Sequence, residues 1–214
     1  MAKRNVAWNA SFTMRIAQLL SSLGERSVQL AVREFRHSCR PLSLVFFEMM
    51  FSVNDQVADF VAEARRFCTL VESEGNEATT FEEECLAVLL RLYQRLLLLP
   101  RVDPIEFESP ERIPHEEWQT VRERTAHRIN SDQYWEVFEP FAEKKPEPIY
   151  GSISDDLADI WRDLKMGLSA LDTGKPNCVE SAVWHWRFGF GSHWGYHVAG
   201  AIRALTALHA AEFC

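Results

Sequence analysis

The sequence predicts an all-α protein: one helical bundle of about six helices with a helical N-terminal extension. Three observations predict it. Apolar residues recur at spacings of three and four in segment after segment, and prolines and glycines fall between those segments. No alternating apolar–polar run bounded by turns occurs before residue 180.

Residues 1–50 read as an N-terminal extension and residues 51–214 as the helical-bundle domain. Within the extension, Ile16, Leu19, Leu20 and Leu23, then Val28, Ala31, Val32 and Phe35, keep helical spacing. It is an appendage, or the natural start lies at Met49 or Met50, where patterning and charge both change; an acid-poor targeting segment is a third reading.

From Asn54 the pattern is cleaner. Val57, Phe60, Val61, Ala64, Cys68 and Val71 form one stripe, with Ser52 and Asp55 as a cap and Gly75 as a left-handed stop. Thr80 and Glu83 make a capping box for a second helix, whose stripe is Cys85, Val88, Leu89, Leu92, Tyr93, Leu96 and Leu99. Leu96 to Leu99 are apolar all round, so that end is expected to be deeply buried, and Pro100 stops it. After a proline-marked loop, Trp118, Val121, Thr125 and Ile129 face inward from a third helix. Asp132 to Phe138 read as a short fourth.

A fifth helix opens at Ser152 or Ser154, with Leu157, Ile160, Trp161, Leu164, Leu168 and Leu171 as its core stripe. Asn177 and Glu180 form a capping pair for the sixth. There Trp184, Trp186, Phe188 and Phe190 alternate like a strand, but Val183, Trp186, Phe190, Trp194, His197, Ala201 and Leu205 keep helical spacing. A lone strand lacks a partner, so the expectation is one long helix kinked near Gly189–Gly191.

Charge narrows the function classes. Residues 1–49 hold seven Lys/Arg against three Asp/Glu, and residues 50–214 hold sixteen against twenty-eight. An acidic main body argues against nucleic-acid binding, which needs a cationic surface. No run of eighteen apolar residues occurs, so no membrane span is expected. Cys39, Cys68, Cys85, Cys178 and Cys214 are scattered and odd in number, the pattern of reduced, mostly buried thiols and a cytoplasmic setting.

One constellation carries chemistry. On a helix, Asp156, Asp159 and Asp163 lie in one stripe beside the core stripe, and His193 and His197 share a face at i, i+4. If the stripes meet, carboxylate oxygens and imidazole nitrogens form a ligand set suited to a divalent metal such as Zn, Mn or Fe. The plainer reading is a polar network or pocket, to which Asp155, Trp186, Arg187, Trp194 and Arg203 also contribute. Asp155 and Asp156 suit a helix N-terminus on electrostatic grounds alone. Asp155-Asp156-x-x-Asp159 matches an aspartate pattern that holds magnesium diphosphate, and Glu136-x-x-Glu139 ahead of it is reminiscent of nucleotide pyrophosphohydrolases; no second aspartate-rich motif accompanies them. Gly-x-Ser-x-Gly, phosphate-loop, HExxH and GxGxxG motifs are lacking, and Cys178 near a helix start reads as an inert thiol.

Several segments together resemble a bacterial family. They are Phe67-Cys68-x-Leu70-Val71-Glu72, Leu89-x-x-Leu92-Tyr93 ending at Leu99-Pro100, and Tyr134-Trp135. The two most specific are the run Asp155 to Lys165 and Trp186-Arg187-Phe188-x-Phe190-x-x-His193-Trp194-Gly195-x-His197. The chain resembles domain of unknown function 5063 over roughly residues 53–210, departing from it at Gly189 and Gly191, where larger residues are expected. The resemblance implies a soluble, all-helical bacterial protein and carries no activity with it. Taken together, the sequence favours a non-enzymatic interaction or regulatory module with a protein partner. The alternative is a metal-binding protein or metal-dependent enzyme built on the Asp/His cluster. A phosphate-ester or diphosphate substrate is a third reading.

Overall fold

The computed structural model describes residues 42–75, 78–103, 112–137, 141 and 145–210, with side chains from residue 55 onward apart from Thr79. The readings placed on residues 1–41, and on Cys39 and Cys214, lie outside the described residues.

The fold is mainly helical. Helix α1 spans Leu42–Glu72, α2 Ala78–Leu98 and α3 His115–Ala126. Two short strands, β1 (Gln133–Glu136) and β2 (Ile149–Ser152), precede α4 (Ile153–Asp172). Helix α5 (Cys178–Gly189) runs through a π-helical turn, Phe190–Trp194, into α6 (Gly195–His209). Among the described residues no helix is long and apolar enough to cross a membrane.

Helix α4 is the hub, because α1, α3, α5 and α6 all pack on it. Its sequence accounts for that. Leu157, Ala158, Ile160, Trp161 and Leu164 are buried at helical spacing, so they present one broad apolar face. Gly167 lets α5 come close: a Cβ there would lie 2.1 Å from the Trp186 indole nitrogen. That nitrogen donates to the Leu164 carbonyl at 3.1 Å, so a fully buried tryptophan keeps its one polar atom satisfied.

The start of α4 is tied down by Asp132. The Asp132 carboxylate accepts from the Ser154 N–H at 2.7 Å and from the Ser152 and Ser154 hydroxyls at 2.8 and 3.0 Å. The Ser152 hydroxyl in turn accepts from the Asp155 N–H at 3.2 Å, closing the helix N-terminus as a cap. The C-terminal end of α1 is closed by arginines. Arg128 donates to the Leu70 and Ser73 carbonyls at 3.0 and 2.8 Å while its guanidinium lies over the Phe81 ring.

Five local expectations are corrected. Helix α1 begins at Leu42, so Ser52 lies inside it rather than capping it. Helix α2 begins at Ala78, so Thr80 is not its cap. Leu97 and Leu98 are 62% and 46% exposed, because helical geometry turns only Leu96 and Leu99 of that run toward the core. Asn177 has a left-handed backbone (φ 63°) and makes no side-chain cap bond. Within the helix expected over Asp132–Phe138, Gln133–Glu136 form a strand instead: β1 pairs antiparallel with β2, Tyr134 opposite Gly151 and Trp135 opposite Tyr150. The aromatic pair, ring centroids 3.8 Å apart, is the cross-strand contact that outweighs local propensity.

The long sixth helix is interrupted where a kink was expected, but by a wide turn rather than a break. A π turn inserts an extra residue into the helical register. It carries Trp194 into the core and His193 onto the side facing α4.

Candidate metal centre

Where α4 faces the π turn and α6, the two polar stripes meet. The His197 Nδ1 lies 2.8 Å from Asp156 Oδ1, and its Nε2 lies 3.5 Å from Asp159 Oδ2. The His193 Nδ1 lies 2.6 Å from Asp163 Oδ2. The two imidazole centroids are 4.8 Å apart and steeply inclined. An ionised carboxylate only accepts, so each Nδ1 carries the proton and donates it. In each ring this leaves Nε2 as the nitrogen not taken up by these bonds.

Asp159 is oriented from its other oxygen. The Trp118 indole N–H donates to Asp159 Oδ1 at 3.0 Å, and Arg162 donates to the same oxygen from one turn away. Oδ2 is thereby left facing His197. One ligand atom from each of Asp159, His193 and His197 lies within 4.8 Å of the other two. A tetrahedral ion with bonds of roughly 2.0–2.1 Å wants its ligand atoms roughly 3.3 Å apart. The set must therefore draw in by about an ångström or more. His193 is the member free to do so, since its side chain is 41% exposed while that of Asp159 is held at 10%.

Asp156 stands behind His197 and is almost wholly buried. The Tyr134 hydroxyl donates to Asp156 Oδ2 at 2.6 Å from strand β1. Two glycines make room for that phenol. A Cβ at Gly151 would lie 2.7 Å from the Tyr134 ring, and one at Gly200 would lie 2.4 Å from its hydroxyl. Burial pushes Asp156 up to about 6, against the pull of the His197 and Tyr134 hydrogen bonds. At His197 burial opposes the charged ring, but the Asp156 hydrogen bond and the charges of Asp156, Asp159 and Asp155 outweigh it, so its proton affinity rises. The phenol of Tyr134 is pushed up by burial and by Asp156, which keeps it a donor.

The remaining residues expected in the network lie elsewhere. Asp155 faces Arg122 at 3.1 Å on the outer side of α4. Trp186 and Trp194 are fully buried core residues, and the Trp194 N–H donates to the Trp186 carbonyl at 3.1 Å. Arg187 donates to the Leu99 carbonyl at 2.7 Å, closing the end of α2. Arg203 alone of that group borders the site region, through a cleft beside Asp156 and His197. Arg162 is the partner that local spacing offers to Asp159, three residues along the same helix; sequence spacing did not single out Tyr134 or Trp118, because their roles depend on which elements pack together. Cys68 and Cys85 are buried free thiols, and burial pushes Cys68 up to about 12, so neither is a ready nucleophile.

A family model described as domain of unknown function (DUF5063) matches residues 51–211, which is more than half of the chain. The chain belongs to the DUF5063 family. The DUF5063 segment contains all of Tyr134, Asp156, Asp159, Asp163, His193 and His197. Among solved structures, the crystal structure of protein BF1032 from Bacteroides fragilis is similar, with 29% identity and a TM-score of 0.62. That match covers 72% of this chain and 91% of the Bacteroides protein. No curated protein matches the chain.

Proposed function

We propose that this DUF5063 protein binds a divalent transition metal through Asp159, His193 and His197. The observation that carries the reading is the pairing of both imidazoles: each gives Nδ1 to its own carboxylate, His197 to Asp156 and His193 to Asp163. A carboxylate behind a histidine fixes the ring and raises the basicity of the far nitrogen, the usual outer arrangement of metal-ligating histidines. Two imidazoles and one carboxylate suit Zn²⁺ or Fe²⁺ better than Mg²⁺ or Ca²⁺, which prefer all-oxygen sites. Three protein ligands leave coordination positions for water or a substrate, as in catalytic sites.

The test is elemental analysis of protein purified without chelators, repeated after incubation with Zn²⁺. Stoichiometric metal in the wild type, lost in His193→Ala and His197→Ala, is the expected result. Protein that stays metal-free after incubation overturns the reading, and the cluster is then a structural tie in which a protonated His197 joins Asp156 to Asp159.

A second reading, an interaction module acting through protein contacts, is supported by the exposed Leu90 and Leu97 on α2 and by the exposed Trp135–Tyr150 pair. Charged substitution of Leu90 and Leu97 should then abolish association in sedimentation without altering metal content. Identical sedimentation of wild type and variant argues against it.

A further inference from the structure

A cleft of about 230 Å³ opens on the β1 side of the Asp156–His197 pair. Tyr134, Glu136, Asp156, Tyr196, His197 and Arg203 are among the residues that border it. Its polar groups are unevenly matched. Tyr134 has one phenolic proton, and Asp156 takes it at 2.6 Å, while Glu136 Oε2 stands at 3.4 Å from the same oxygen. The Glu136 carboxylate is therefore left with acceptor capacity at the cleft wall. The Arg203 guanidinium is positioned by a 2.8 Å bond from one nitrogen to the Trp135 carbonyl, which leaves most of its five donors unused. Among the described residues, neither Glu136 nor Arg203 forms an ion pair. Asp156 and His197 also line the cleft but are paired with each other, so the Glu136 carboxylate and the Arg203 guanidinium are the two charges that border it without an ion-pair partner.

We propose that this cleft binds a small zwitterion, an α-amino-acid-like molecule whose ammonium meets Glu136 and whose carboxylate meets Arg203. Carboxylate recognition by a guanidinium held in place is the kind of contact that arginine makes best. The cleft volume fits a metabolite of this size better than a drug-sized ligand, whose pockets span roughly 300–1,000 Å³. The cleft shares His197 with the proposed metal site, but its two charge contacts fall on Glu136 and Arg203, which are not metal ligands, so their substitution separates this proposal from the metal reading.

Isothermal titration of the full chain with glycine, L-alanine and L-serine, against propylamine and propionate as single-charge probes, tests it. At least one of the three zwitterions should bind, with each single-charge probe weaker by about tenfold or more. Glu136→Gln and Arg203→Met, both at solvent-accessible positions, should each lower zwitterion affinity by about tenfold while the thermal midpoint stays near that of the wild type. His193→Ala should leave zwitterion binding intact whether or not it removes a metal. No binding of any zwitterion at about 10 mM overturns the proposal, and so does binding that neither Glu136→Gln nor Arg203→Met weakens.

Discussion

His197 Nδ1 lies 2.8 Å from Asp156 Oδ1, and both groups hold protons more tightly than their free counterparts. The sign of the stability effect is the same for both. Asp156 titrates at about 6 in the fold, above an unfolded value of about 3.9. Between those pH values the unfolded chain loses this proton first, so rising pH disfavours folding. The imidazolium of His197 contributes its full stabilisation below an unfolded value of about 6.5 and loses it as pH rises through its raised folded value. Metal-free protein should therefore hold a stability advantage over Asp156→Asn that shrinks as the pH of urea denaturation is raised from about 5 to about 8. An advantage that grows over that range contradicts the assignment.

Asp163 touches only the far side of His193, through its Nδ1. Asp163→Ala should preserve one metal per chain but weaken its affinity roughly 10–100-fold, the effect of removing a carboxylate behind a ligating histidine. Competition titration against a chromophoric chelator reads this directly. Unchanged affinity removes Asp163 from the centre.

Gly167 is the contact point of α4 and α5. A Cβ there would meet the Trp186 indole at 2.1 Å, and the indole cannot move without breaking its bond to the Leu164 carbonyl. Gly167→Ala should cost about 1–3 kcal/mol of stability through overpacking, despite alanine's better helix propensity. A stabilised variant in thermal or urea denaturation contradicts this packing.

Asp132 joins β1 to the start of α4 through three accepted hydrogen bonds. Asp132→Ala leaves the Ser154 N–H and two hydroxyls without that acceptor, so a loss of about 2–3 kcal/mol is expected. A loss smaller than about 0.5 kcal/mol, the range of ordinary surface substitutions, argues that water replaces the carboxylate fully.

These sites differ in how far the chain itself announces them. Helical spacing is local, so it was enough to align Asp156, Asp159 and Asp163 on α4 and to place His193 and His197 together on the other side of the groove. Those five residues do come together in the fold. The groups that orient them arrive from far along the chain: Trp118 reaches Asp159, and Tyr134 reaches Asp156 from strand β1. No periodicity encodes such meetings, and the local pattern of β1 reads as helix because its pairing with β2 is non-local. Composition misled in the opposite way at Trp186, Trp194 and Arg187. An aromatic, basic run looked like a pocket lining, but burial and helix closure use those residues.

The central claim is that Asp159, His193 and His197 coordinate one ion, and cobalt substitution tests it most directly. Chelator-treated protein titrated with Co²⁺ should develop visible d–d absorption that saturates at one equivalent, with nitrogen-ligated character lost in His193→Ala and His197→Ala. A spectrum that stays that of aqueous Co²⁺, or one unchanged by both histidine substitutions, would contradict it.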